Sequence, residues 1–214
     1  MLLVKNGKDP DDLYNASLGF WLPPNTPYGN LQLKYMKIIC RIDEANRKIA
    51  DSWKFWKICS DGGRLPNNAL DRHVLANENV VYMLRRAGDE LVSMIWLLAK
   101  YENNRDYPSK IEIDCLGAVV SQKEGQRIAL FSKHIELMQK LNDIANAFKH
   151  SFINSNHTLI GSTEPRVHAL GLAYNRLNAD TVFYDISMNE LVEKYNDFFQ
   201  ACVQWLLEYS EKNR

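Results

Sequence analysis

Residues 30–61, NLQLKYMKIICRIDEANRKIADSWKFWKICSD, decide the fold class. Leu31, Tyr35, Ile38, Ile42, Ala45, Ile49 and Trp56 recur along this stretch at three- and four-residue steps, the spacing of one helix face. Ser52 is the single polar interruption of that stripe. Asn30 can cap the helix by accepting an orphan amide proton. Asp61-Gly62-Gly63 closes it, glycine being the natural residue past a helix end. A helix this long with one apolar stripe must bury it against other helices.

Working outward, a second helix is expected from Asn67 or Asn68 to about Tyr101, with Val74, Val81, Leu84, Leu91, Ile95 and Leu98 as its stripe. Arg85 with Asp89, and Arg86 with Glu90, are spaced to pair on its outer face. Asn103 to Pro108 is a break. Ser109-x-x-Glu112 reads as a capping box before a short helix over Ile113 to Gln122. Lys123-Glu-Gly125 then leads into a long helix from Gln126 to Ile153. Val167–Tyr174 and Thr181–Ile186 flank a turn-forming stretch and read as an antiparallel hairpin at about residues 166–186, which must lie on the helices to be stable. Ser187-x-x-Glu190 is a second capping box, opening a last helix with Leu191, Tyr195, Phe198, Cys202 and Leu206 on one side.

Residues 1–29 form an extended arm, because the prolines near Trp21 fix φ and remove amide donors. Phe20, Trp21 and Leu22 suggest that the arm is pinned to the core, where they cover an apolar seam; the alternative is that they reach a partner subunit. The expected fold is therefore mostly α: an antiparallel helical bundle over residues 30–214, with a small β-hairpin before the C-terminal helix.

Composition excludes several classes. The 214 residues are 46% hydrophobic and 24% charged, the profile of a globular domain with enough chain to bury a core without metal or disulfide staples. Lys+Arg 26 balances Asp+Glu 26, so nothing advertises a general polyanion-binding surface, although a local patch could still bind nucleic acid, and little self-repulsion opposes a homodimer. Cys40, Cys59, Cys115 and Cys202 follow no metal spacing and read as small buried residues of a reducing compartment. No signal peptide and no membrane-spanning run is recognisable, which points to the cytoplasm. No metal site or cofactor is expected: His73 and His168 have no ligand partners at metal spacing, and there is no glycine-rich phosphate loop, nucleophile elbow or HExxH. Trp53-Lys-Phe-Trp-Lys57 could stack bases, but aromatics near a helix end more often join the core.

The 126–153 stretch holds the polar residues that packing does not explain. Arg127 and His134, seven apart, fall on nearly one helical face; Asp143, Asn146 and His150 share another, roughly 140° away at about 100° per residue. Arginine can grip a phosphate with two hydrogen bonds, and histidine can move a proton near neutral pH. Arg127 could instead be merely solvated in a first helical turn, and His134 satisfied by a backbone carbonyl. Asp143, Asn146, Lys149 and His150 could hold an anion, with Asp143 or Asn146 fixing the imidazole; alternatively Lys149 and His150 simply complement the helix dipole.

Arg127-x6-His134 and Asn146-Ala-Phe-Lys149-His150 on a helix of a bundle resemble the HEPN superfamily, a group of helical, commonly dimeric domains of toxin–antitoxin, phage-defence and RNA-processing systems. The resemblance implies a metal-independent endoribonuclease of R-x4–6-H type acting on RNA, with Arg127 binding phosphate and His134 serving as acid or base. Ile128 stands where that family usually has a polar residue. The competing expectation is a non-catalytic helical module that binds a protein partner.

Overall fold

The computed structural model describes residues 1–5, 19–61, 68–150, 162–172, 176, 178 and 180–214. Its first helix, α1, spans Leu31–Ser60, capped by the Asn30 side chain accepting from the Leu33 amide at 3.0 Å. The second, α2, spans Ala69–Asn104, one turn beyond the expected end, and is preceded by Asn68 in the left-handed region at φ 72°. The two helices run antiparallel. Ser52 bonds Asn77 while Arg41, nearer the start of α1, bonds Glu90, farther along α2. Opposed contacts of this kind arise only when the chain reverses.

Asp89 and Glu90 do pair with Arg85 and Arg86, at 3.9 and 3.2 Å, but not on an outer face. Glu90 also takes two hydrogen bonds from the Arg41 guanidinium, each 3.0 Å, and so ties α2 to α1. Asp89 is 14% exposed and accepts the Leu116 amide at 2.8 Å. That bond helps decide where the next helix, α3 (Leu116–Ser121), begins. The expected capping box at Ser109 and Glu112 is overturned. Residues 109–115 are irregular, Cys115 is the cap residue, and Ile113 is fully buried as a loop anchor.

The expected continuous helix from Gln126 is also overturned. The chain forms two single turns, α4 (Lys123–Gln126) and α5 (Ala129–Lys133), before the regular helix α6 (Ile135–His150). Residues 151–153 lie outside the described residues. Two constraints force the bends. A Cβ on Gly125 would sit 2.8 Å from the Val119 Cα, so glycine lets α4 lie directly on α3. Ile128 then adopts an extended backbone at φ −77°, ψ 110°, which interrupts the helical ladder and delivers Phe131 to the core, fully buried.

Strands β1 (Arg166–Leu172) and β2 (Thr181–Ser187) form the expected antiparallel hairpin, with His168 opposite Asp185. The last helix, α7, spans Met188–Asn213, and Ser187 caps it by accepting the Glu190 amide at 3.0 Å. The expected fold class is shown: helices packed on helices, with the hairpin before the C-terminal one.

Trp96, Tyr195, Phe131, Phe198 and Phe199 are the large side chains at the centre of the core. Of the cysteines only Cys202 is buried; Cys40 is exposed and Cys59 and Cys115 are half-buried, because they stand off the apolar stripe of their segments. Leu22 is fully buried, Phe20 meets the Tyr35 ring edge-on at 5.1 Å, and the Trp21 amide donates to Ser210 Oγ. Among the described residues no helix is long and apolar enough to cross a membrane.

Candidate functional site

Arg127 and His134 stand at the two bends, not on one helix face. Arg127 closes α4, and its side chain is 76% exposed, donating to Glu124 Oε2 at 2.9 Å. Glu124 is also bonded by Lys100, and that bond chiefly holds its carboxyl below the usual range. His134 closes α5 and is half-buried, its ring meeting Phe198 edge-on at 5.8 Å. Burial is the main cause that lowers its pKa below 6.5; Asp197 opposes the shift and Lys133 adds to it. The imidazole is therefore neutral at pH 7. The two side chains make no hydrogen bond to each other.

Asp143, Asn146 and His150 lie toward one side of α6, with Lys149 roughly 120° round from Asp143. Asp143 accepts from Gln139 and Asn142, each at 3.4 Å, and its charge contributes to raising the Tyr184 pKa across the helix–hairpin contact. Asn146 is half-buried, and Lys149 and His150 are exposed. Neighbouring Asn142 accepts from Arg85 at 3.2 Å. The Arg85–Asn142 bond joins this part of α6 to α2, whereas the bonds to Asp143 stay within α6. No arginine precedes His150 with four to six residues between them: those positions are Ala145, Ile144 and Asp143.

The most concentrated polar constellation lies elsewhere, where α1, α2 and the hairpin meet. Ser52 Oγ donates to Asn77 Oδ1 at 2.5 Å, and Asn77 Nδ2 donates to the Arg166 carbonyl at 2.9 Å. His73 Nδ1 lies 3.1 Å from the Ser52 carbonyl, and its Nε2 lies 3.2 Å from Asn77 Nδ2. A carbonyl only accepts and an amide N–H only donates, so these partners assign the proton to Nδ1 and leave Nε2 as acceptor. His73 is 2% exposed, and burial is the principal cause that lowers its pKa; the bond to Ser52 opposes this and the nearby His168 adds to it.

On the hairpin, Arg166 grips Asp185 with two bonds of 2.6 and 2.8 Å. His168 Nε2 lies 3.1 Å from the same carboxylate, its side chain 4% exposed and stacked on Phe183. The Arg166 hydrogen bond is the chief reason that the Asp185 carboxyl titrates low.

Sequence reasoning passed over this network because it searched for metal spacing around His73 and His168. The available signals were Ser52 inside an apolar stripe and His73-x3-Asn77 on one helix face. Ser52, His73 and Asn77 satisfy one another away from solvent, Arg166 and Asp185 are about a third exposed, and together they join the hairpin to the bundle.

A cavity of about 430 Å³ lies between α1, α2 and residues 111–114, floored by Leu31, Met94 and Leu97. Both of its arginines, Arg41 and Arg86, are engaged by the single carboxylate of Glu90. The aromatics at the end of α1 are half-buried: Trp53 meets Trp56 edge-on at 5.7 Å and packs on the core, while Arg72 lies over Phe55 at 5.6 Å. Among the described residues no group of His, Cys, Asp or Glu could hold a metal ion. No protein-family profile, curated protein or solved structure matches this chain.

Proposed function

We propose that this chain is a HEPN-like, RNA-associated domain, with Arg127 binding a phosphate and His134 transferring the proton in metal-independent RNA cleavage. The observation that carries the reading is the contrast between the two side chains. Arg127 is charged and 76% exposed, and His134 is half-buried and neutral at pH 7. A neutral imidazole can accept a proton from a ribose 2′-hydroxyl as that oxygen attacks the adjacent phosphorus; the bond from phosphorus to the 5′ oxygen breaks, the imidazolium returns the proton to that departing oxygen, and a 2′,3′-cyclic phosphate remains. An exposed guanidinium can hold the non-bridging phosphate oxygens by two parallel hydrogen bonds. Glu124 holds Arg127 until a phosphate competes for it. The neighbouring cations Lys123 and Lys133 are exposed and suit a nucleic-acid backbone.

The test is cleavage of single-stranded RNA in chelator by the unaltered chain, by Arg127→Ala and by His134→Ala, with folding followed by circular dichroism. Loss of cleavage by at least about a hundredfold in both variants, with helicity intact, is the expected result. Activity that survives His134→Ala overturns the assignment. Mixing the two inactive variants distinguishes a site within one chain from a site shared by a homodimer, because only the shared site regains activity.

A non-catalytic module is the second reading, favoured by one observation. The bends at Ile128 and His134 remove the single helix on which the arginine–histidine spacing rested. RNA or protein binding without cleavage, unchanged in both variants, would establish it.

A further inference from the structure

The first five residues lie extended between α1 and α7 and are held almost entirely through their main chain. Asn46, on α1, accepts the Val4 amide at 2.8 Å and donates to the Val4 carbonyl at 2.9 Å. Asn196, on α7, accepts the Lys5 amide at 2.7 Å and donates to the Leu3 carbonyl at 3.1 Å. Asn189 accepts the Leu2 amide at 2.9 Å, and Gln200 donates to the Lys5 carbonyl at 3.1 Å. Asn189 is itself oriented by donating to Glu164 at 2.7 Å. Only one side chain of the segment is swallowed: Val4 is 2% exposed, whereas Met1, Leu2 and Leu3 are 60%, 45% and 42% exposed.

This is the division of labour by which proteins recognise extended peptides, with main-chain bonds for affinity and a pocket for one side chain for selectivity. A carboxamide is the side chain suited to the task, since it offers a donor and an acceptor to match each peptide unit. Two of the four carboxamides, Asn46 and Asn196, use both. They do so from opposite walls of the groove.

We infer that the groove between α1 and α7 is a peptide-binding site that the chain fills with its own residues 1–5, and that it takes an extended peptide of the same chemistry from another chain. That chemistry is a main chain free to pair on both sides of one aliphatic residue of valine size. In the intact chain the tethered segment competes with any such peptide by its high local concentration. The inference is independent of RNA binding, since it uses neither Arg127 nor His134.

The experiment measures fluorescence anisotropy of labelled peptide Met-Leu-Leu-Val-Lys against three full-length proteins: the unaltered chain, a variant carrying Leu2→Gly, Leu3→Gly and Val4→Gly, and that variant with Asn46→Ala and Asn196→Ala added. The expected result is one saturable site on the triple-glycine variant and binding at least about tenfold weaker on the unaltered chain. Removing the two asparagines should weaken binding by about tenfold or more, and a peptide with Asp in place of Val should not bind. Peptide should also raise the melting temperature of the triple-glycine variant and leave that of the unaltered chain in place. Should the triple-glycine variant not fold, Val4→Ala loosens the native segment more gently and should bind the peptide more tightly than the unaltered chain. A concentration-dependent dimer that excess peptide dissociates supports the same site, with a second copy as the donor. Absence of saturable binding to any folded variant, or binding indifferent to Asn46 and Asn196, overturns the inference.

Discussion

Two regions of this molecule carry histidines beside arginine and carboxylate, and they are opposite in kind. Around His73 and His168, Ser52, Asn77, Arg166 and Asp185 come from α1, α2 and the two strands and are tied together by hydrogen bonds. Around His134, the arginine is out in solvent and the imidazole rests on one aromatic edge. The same residue types thus give a structural rivet in one place and a looser, partly solvent-facing arrangement in the other. Burial and bond saturation, not residue identity, separate them. A buried polar network contributes through the cost of leaving any member unpaired, whereas an exposed pair contributes almost nothing to folding and is free to meet a ligand.

Asn77→Ala breaks this contrast most directly. It leaves the Ser52 hydroxyl, His73 Nε2 and the Arg166 carbonyl without their partner, and at roughly 1 kcal/mol or more for each orphaned group it should cost about 3 kcal/mol in urea denaturation. A loss below about 1 kcal/mol would mean that water replaces the amide and that the network is not closed. Arg166→Met removes the guanidinium from Asp185 at a site about a third exposed, so the expected loss is only about 1 kcal/mol.

Acid should act on the same network. Burial lowers the His73 pKa in the folded protein below 6.5, so as pH falls the unfolded chain binds that proton first. The stabilisation is fully present above pH 6.5 and is lost on acidification through the window between 6.5 and the lower folded value. His134 shifts in the same direction. Melting temperatures between pH 7.5 and 5 should therefore fall in the unaltered chain, and fall less steeply in His73→Gln. An unchanged slope in that variant would assign the acid sensitivity to other groups. The smallest effect belongs to the exposed region: Arg127→Ala should change stability by less than about 0.5 kcal/mol, whatever it does to RNA. A larger loss would make its bond to Glu124 a structural one.

The asymmetry also governs how much was legible from the residues. Periodicity located α1, α2 and α7 because each buries one face over many turns, and the caps at Asn30 and Ser187 act locally. Residues 109–134 were misread, since their path depends on Asp89 receiving the Leu116 amide and on the approach of Gly125 to Val119. The first contact spans 27 positions, and the second needs the chain to fold back between α3 and α4, which no periodicity encodes. The polar face of α6 was recognised as a face, but that Asn142 joins it to Arg85 could not be seen along the chain. Ser52 was visible as an anomaly; its partner Asn77 was not sought, because a serine in a stripe looks like noise until another helix lies against it.

By itself, the sequence determined the helical class, the hairpin and its place, and the caps that start the long helices, all consequences of interactions within a few residues. Tertiary structure alone decided where the long 126–153 helix would break, which histidines are closed off and which face solvent, and that the first five residues lie in a groove of asparagines. Those outcomes depend on burial and on hydrogen-bond partners 20 to almost 200 positions away, as with Ser52 to Asn77 and Lys5 to Gln200. No pattern along the chain encodes such pairings until the helices have packed.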